Sequence, residues 1–504
     1  SEKIRNNCEI KFIDVNDING QSMYLAALKY IFVVAVKELY GKDADVGFLN
    51  SLDKGLYAKL NIGEDLTLEV INKITDKMQE IIDMDLLFEK ITAHKKEAIN
   101  FLLRNNETEK AKNIQNLSNS TVVLFKLKTY YNYFYTDLPY STKAINKFKL
   151  DLDDSNHLLL RFPTARSNNE IPGYKKYNKT LESFRNYRSW LNNLNIDYVA
   201  DLNDVISDNK IKQFIQMNEI YLDNELEEIS GDIAFRNKIK IVLMAGPSSS
   251  GKTTSAHKLS LYLKSHGIDS IIISVDNYFK EKEECQKDGE EINFESPDKI
   301  DIDLLNKQIS SLLKGEDVSL PKFNFFTGKK EYKGNIVSLK EKDLVILEGL
   351  HCLNNIITPN VPSEYKYKIY VSPFMPLRID RHNHISTTDL RLVRRIVRDS
   401  VFRGYSVSDT ISGWQSVRCG EEKYIFPYQE NVDVVLNTAA IYELGILKVY
   451  AEPLLYSVPI ASPYYEEARR LLGHLRIYFP ITSEYVAKDS ILREFIGGSG
   501  FNPH

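Results

Sequence analysis

Gly246-Pro247-Ser248-Ser249-Ser250-Gly251-Lys252-Thr253-Thr254 is the stretch from which the rest of the chain can be read. Gly246, four intervening residues and then Gly251-Lys252-Thr253 match the phosphate-binding loop pattern. An apolar, β-rich run, Ile239–Met244, leads into it, and a helix-like stretch with Ala256, Leu259 and Leu263 on one face follows. The glycines let the backbone fold tightly round a chain of phosphates, so that successive amide N–H groups and the N-terminus of the following helix face the anion. In that arrangement Lys252 places a point charge near the β- and γ-phosphates, and Thr253 offers a hydroxyl to Mg²⁺. A Gly/Ser-rich turn that fits by chance is disfavoured, because strand and helix stand on the correct sides.

Further apolar runs at Lys240–Met244, Ser270–Val275, Leu344–Leu347, Tyr367–Val371 and Val432–Asn437 alternate with helical patterns. That order predicts an α/β fold with a parallel sheet covered by helices on both faces. Ligands on such sheets bind beyond the carboxyl ends of the strands, and the loop, Asp276 and Glu348 all fall at such ends. A carboxylate at Asp276 can accept the proton of an attacking hydroxyl or hold Mg²⁺ through water; the plain alternative is an Asp capping a turn. Glu348 ends an apolar strand and is followed by Gly349, the usual setting of a metal partner. Arg378–Arg403 is strongly basic, and Arg391, Arg394 or Arg395, and Arg398 share a helical face that could clamp phosphoryl oxygens. The alternative is a solvated helix whose arginines pair with Asp380, Asp389 and Asp399. His382 and His384 lack the further ligands a zinc site requires, and Trp190 and Trp414 are expected as core or interface anchors.

The chain has 504 residues, 43% apolar and 27% charged, with a net charge of -4. That length predicts about two or three domains, and that charge gives no general attraction to nucleic acid or anionic membranes. Cys8, Cys285, Cys352 and Cys419 form neither a metal pair nor a disulfide framework, which favours a reducing, cytoplasmic setting. No apolar run approaches the roughly 20 residues of a membrane span; the nearest, Tyr24–Val36, is interrupted by Lys29. In the front part Glu9–Val15 and Asn156–Phe162 read as strands, and Ser22–Tyr40, Leu66–Ile82 and Lys95–Leu103 as helices.

Residues 239–440 resemble the uridine kinase and phosphoribulokinase family. The resemblance is carried by the loop, Asp276-Asn277-Tyr278-Phe279, Asn293-Phe294-Glu295-Ser296-Pro297-Asp298 and Pro321-Lys322-Phe323-Asn324-Phe325. It continues through Leu347-Glu348-Gly349 and Arg391-Leu392-Val393-Arg394-Arg395-Ile396-Val397-Arg398-Asp399. It implies transfer of the γ-phosphate of ATP, with Mg²⁺, to a hydroxyl of a small molecule; in uridine kinases this is the nucleoside 5′-hydroxyl. By position, Lys252, Asp276, Arg395 and Arg398 would carry the chemistry. Gly246, Pro247, Ser248, Ser249, Ser250, Gly251, Lys252, Thr253 and Thr254 would hold ATP, and Thr253 and Glu348 the metal. Asp276, Tyr278, Phe294, Glu295, Phe323 and Arg403 would meet the acceptor. Where animal-type members carry a pyrimidine-reading His this chain has Gly328, and Glu295 stands where they carry Asp. The resemblance makes uridine, in pyrimidine salvage, the first expectation, and these departures keep another hydroxyl acceptor such as a sugar phosphate as the second.

The front part resembles the second N-terminal domain of threonyl-tRNA synthetases, through Ser22–Leu60, including Ala35-Val36-Lys37-Glu38-Leu39-Tyr40-Gly41, and Leu158–Pro163. Two editing histidines of those enzymes fall at Ala26 and Tyr30, so editing is not expected. The resemblance implies an α+β synthetase-like domain over 1–165, a helical connector over 166–235, a P-loop kinase domain over 236–445 and a helical extension over 446–504. Proteins of this arrangement often begin with a ubiquitin-like module, for which there is no room before Glu9; loss or trimming is the expectation. The apolar-faced tail Leu454–Glu494 makes a homo-oligomer one expectation. A nucleotide-responsive tRNA- or RNA-binding protein is the alternative from another class, opposed by the net charge, as is a pseudokinase, opposed by the intact loop.

Overall fold

The computed structural model describes residues 13–52, 55–153, 157–164, 167–281, 295–324 and 327–501. Most of the strand expected over Glu9–Val15 lies outside them, as does Phe294. The chain forms two compact units. One takes the described residues up to Lys176 with Asp197–Asp201 and Leu377–Ser386; the other takes Tyr177–Ile196, Leu202–Pro376 and the chain from Thr387 onward.

The first unit is α+β. Its long helix, Ile18–Tyr40, starts where the Asp17 side chain accepts the Asn19 amide at 2.9 Å. The helix is buried nearly all round, with Ala27, Leu28, Ile31, Phe32 and Val34 among its buried residues, as an apolar run without a polar stripe requires. Ala26 and Tyr30 are core residues, and the Tyr30 hydroxyl donates to the carbonyls of Phe125 and Tyr130 at 2.9 and 2.6 Å. An antiparallel sheet runs in the spatial order Asp45–Leu52, Gly55–Asn61, Leu158–Arg161, Lys149–Leu152, and a second joins Glu89–His94, Thr121–Leu127 and Tyr130–Asn132.

The segment Leu377–Ser386 folds with this unit as a short hairpin. Its His382 is buried, with Nδ1 accepting from the Lys110 ammonium at 2.5 Å; that ammonium also reaches Asn132 at 2.6 Å and Glu107 at 3.1 Å. Lys29 donates to the His382 carbonyl at 2.8 Å, and Arg381 pairs with Asp45 and Glu109 at 2.8 and 3.0 Å. The Asp380 carboxylate accepts the amides of His382 and Asn383 at 2.8 and 3.0 Å. The basic run Arg378–Arg403 is thus split: its first arginines and Asp380 serve the first unit, the rest the second.

The second unit is α/β. Strands β1 (Ile241–Ala245), β2 (Ser270–Ser274), β3 (Leu344–Glu348), β4 (Lys366–Ser372) and β5 (Val434–Asn437) form a parallel sheet of order β5-β4-β1-β3-β2. Alternate residues of each strand feed opposite cores. Ile241, Leu243 and Val345 pack with Ile309 and Leu312 on one face; Val242, Met244 and Ile346 pack with Leu226, Leu259 and Leu263 on the other. This is the helix-flanked parallel sheet expected from the sequence, with all its expected strands present and their ends shifted by about one or two residues. Among the described residues no helix is long and apolar enough to cross a membrane.

Candidate active site

Strand β1 ends at Ala245, and the loop runs from Gly246 into helix α1 (Lys252–Ser265). The tight path needs its glycines. A Cβ on Gly246 would lie 2.0 Å from the Val371 carbonyl oxygen, and Gly251 sits at φ +86° with Ile491 2.5 Å from where its Cβ would be. Four successive loop carbonyls are each held by a protein donor. Lys252 donates to Pro247 at 3.1 Å, Arg391 to Ser248 at 3.1 Å, Arg394 to Ser249 at 3.3 Å and Thr438 to Ser250 at 2.5 Å. Among the described residues the amides of Ser249, Ser250 and Gly251 meet no acceptor, and the buried hydroxyls of Ser249 and Ser250 have no partner. Anchored carbonyls, unanswered amides and a helix N-terminus make a cradle for anionic phosphate oxygens, so the residues present fit a nucleotide triphosphate. Ser248 is the exception, its amide donating to Glu421 at 3.0 Å. Lys252 and Thr253 remain partly accessible, whereas Thr254 is buried, its hydroxyl on Glu494 at 2.8 Å.

Parallel register brings the acids to this mouth. Glu348 pairs with Met244 of β1 on one side and Ser274 of β2 on the other. Asp276 follows β2 in a 3₁₀ turn, Val275–Tyr278. Burial raises the Asp276 carboxyl above its ordinary range, with Lys252 and then Arg403 pulling it back. Burial, with the Asp276 charge adding to it, pushes Glu348 up to about 7 against the opposing pull of Lys252. Glu295 is likewise raised to about 7, by burial and then Glu421, against Arg395. Lys252 and Asp276 therefore lie within the fields of both Glu348 and Glu295, and Thr253 and Glu348, with Asp276, are hard oxygen donors of the kind that could hold Mg²⁺ alongside substrate phosphates.

Helix α2 (Thr387–Arg398) is not a solvated face. Arg391 and Arg394 are each 1% exposed. Arg391 forks onto Glu421, in helix α3 (Val407–Tyr424), with contacts of 2.5 to 3.0 Å. Arg394 holds Glu443 at 2.6 and 3.0 Å. Arg395 reaches the Ser248 hydroxyl at 3.2 Å and, like Arg398, bonds Asp399; Arg403 lies 3.6 Å from the same carboxylate across a π-helical turn, Asp399–Arg403. Asp389, in contrast, is held by Arg470 at 2.6 and 2.9 Å.

Two expected acceptor residues face the core. The Tyr278 ring is fully buried with its hydroxyl on Gln308 at 2.6 Å, and Phe323 packs edge-on to Phe279 at 5.8 Å. Asn277, between Asp276 and Tyr278, ties the two segments together by accepting the Phe323 amide at 3.2 Å. Sequence reading passed over Glu421, Glu443 and Thr438, whose contacts with the loop or its arginines are remote in sequence. It also passed over His351, although that residue follows Glu348-Gly349-Leu350 directly.

This constellation defines a P-loop kinase domain. Residues 241–443 match the phosphoribulokinase / uridine kinase family. The uridine kinase of Borrelia duttonii (strain Ly) is 26% identical over 213 residues, covering 41% of this chain and 93% of that protein. The uridine kinase of Staphylococcus aureus (strain JH9) is 28% identical over 208 residues, covering 41% and 91%. A solved structure of a possible uridine kinase from Bacillus stearothermophilus matches at 20% identity and a TM-score of 0.26, over 40% of this chain and 89% of that one.

Proposed function

We propose that the second unit transfers the γ-phosphoryl group of ATP to the 5′-hydroxyl of a nucleoside, with uridine as the first candidate. The observation that carries this reading is the parallel register that sets Glu348 and, just past β2, Asp276 level with the end of β1, where the phosphate loop begins. The loop amides and Lys252 hold the triphosphate, and Arg395 lies beside the loop at Ser248. Asp276 orients the acceptor hydroxyl and takes its proton as the oxygen bonds to the γ-phosphorus and ADP departs. Burial makes that carboxylate a better base than a solvated one. Thr253 and Glu348 would hold the Mg²⁺ ion, which when bound neutralises charge on the β- and γ-phosphate oxygens.

A sugar phosphate acceptor is the second reading. It is kept by Gly328, which occupies a turn at φ +71° and offers no side chain to read a base. ADP release measured over a panel of uridine, cytidine, purine nucleosides and sugar phosphates separates the two. Uridine and cytidine at background beside rapid turnover of a sugar phosphate would overturn the nucleoside reading.

A further inference from the structure

His351 stands out among the groups the proposed reaction leaves unused. It lies just past the carboxyl end of β3, beyond Glu348, and is 3% exposed. Among the described residues neither ring nitrogen has a hydrogen-bond partner. A buried imidazole with both nitrogens unanswered is an exception that calls for a cause, because such atoms in folded proteins nearly always meet protein or water. The surroundings are those of the acceptor side of the site. The Glu295 main chain lies beside the ring without a hydrogen bond of ordinary geometry, and Lys252 of the phosphate loop is within electrostatic range. Tyr424 covers the ring edge-on at 5.9 Å and 80°, fixing its plane. Burial, first of all, lowers the His351 pKa to about 4. At neutral pH the ring therefore presents one donor and one acceptor rather than a cation.

Resting on the kinase reading above, we propose that His351 is a specificity-determining residue whose two ring nitrogens hydrogen-bond a polar edge of the acceptor substrate that carries a donor and an acceptor together. Lactam edges of nucleobases and sugar hydroxyls both have that character. The residue follows the rim strand β3, where it can read the acceptor while Asp276 handles the reacting hydroxyl, and it would fill the role left open by Gly328.

The test compares wild type with His351→Gln and His351→Phe over the same acceptor panel, with ATP varied separately. Loss of both polar groups in His351→Phe is expected to raise the acceptor KM at least tenfold and leave the ATP KM within about twofold. His351→Gln, which keeps a donor and an acceptor, is expected to recover part of the loss. Long-range ¹⁵N spectra of the wild-type imidazoles give a second measurement that needs no variant. Adding the best acceptor with a non-hydrolysable ATP analogue is expected to shift the His351 nitrogens, while the analogue alone is not. An active wild type whose acceptor KM is indifferent to His351→Phe, or whose His351 nitrogens ignore the acceptor, overturns this inference and leaves the kinase reading standing. A wild type that turns over no panel member removes the kinase reading, and the inference with it.

Discussion

Glu348→Gln is expected to make the metal-free protein more stable while disabling it. The Glu348 carboxyl is 6% exposed and shares its surroundings with Asp276; burial first, and that second charge after it, raise its pKa to about 7. The unfolded chain has the ordinary value of 4.5. Below about pH 4.5 both states hold the proton and the group costs nothing. Between about 4.5 and 7 the unfolded chain ionises while the folded one keeps its proton, so stability falls as pH rises; above about 7 the deficit is constant. The interval corresponds to about 3 kcal/mol. An isosteric amide removes the titration, so at pH 8 the variant should melt roughly 3–5 °C above wild type, the two converging near pH 4.5. With ATP and Mg²⁺ supplied, turnover should fall roughly 100-fold, because a carboxylate that would hold the metal is lost. Calorimetry of the EDTA-treated, nucleotide-free proteins from pH 4.5 to 8.5 is the assay. A variant that melts below wild type at pH 8, or a gap that does not change with pH, would refute the reasoning.

Other expectations follow from the same geometry. Gly246→Ala would force a methyl group to within 2.0 Å of the Val371 carbonyl; a loss of about 1–3 kcal/mol and a tenfold or greater rise in the ATP dissociation constant are expected, by calorimetry. Gly473→Ala, with nothing within 4 Å of the added carbon, is the matched control and should leave both unchanged or gain slightly in stability. Asp276→Asn should cut turnover at least 100-fold with ATP affinity within about twofold; unchanged turnover would mean the base is another residue. Arg394→Met strands the buried Glu443 charge and should cost about 3–5 kcal/mol, most of it regained in Arg394→Met/Glu443→Leu; equal melting of single and double variants would show that the pair is not coupled.

The parts of the site that could be read from sequence are those set by local geometry. The loop motif fixes where Gly246 and Gly251 must turn, and a parallel register then brings the ends of β1, β2 and β3 level, so Asp276 and Glu348 were predictable at one rim. Contacts between distant segments were not legible. Nothing near Arg391 or Arg394 in sequence announces Glu421 or Glu443, and the basic run looked like a solvated or clamping helix because its counter-charges arrive from elsewhere. Asp380 and Asp389, adjacent in sequence and so obvious partners, are engaged by His382 and Asn383 amides and by Arg470 instead. The hairpin Leu377–Ser386 was hidden for the same reason: its pairing depends on Lys29, Lys110 and Glu109, far back in the chain. Tyr278 and Phe323 sit in motif positions that suggest the acceptor, but the strand and turn that carry them aim both rings at the core.

The pairing of the arginines also bears on how the site handles charge. Arg391 and Arg394 each face a buried carboxylate, Glu421, which Arg418 also reaches at 3.3 Å, and Glu443, so both are counter-charged and act mainly through geometry, pinning the Ser248 and Ser249 carbonyls. Arg395, Arg398 and Arg403, in contrast, share the single carboxylate of Asp399. Apart from whatever charge Glu295 carries, that leaves positive charge in excess beside Ser248 and Asp276. A buried carboxylate that balanced each arginine would cancel the field a triphosphate needs; none at all would leave three guanidinium groups repelling one another at the end of one helix. One shared acid lies between these limits. It holds the three side chains in place while keeping a net positive field at the loop, where the transferred phosphoryl group spreads its charge over its oxygens.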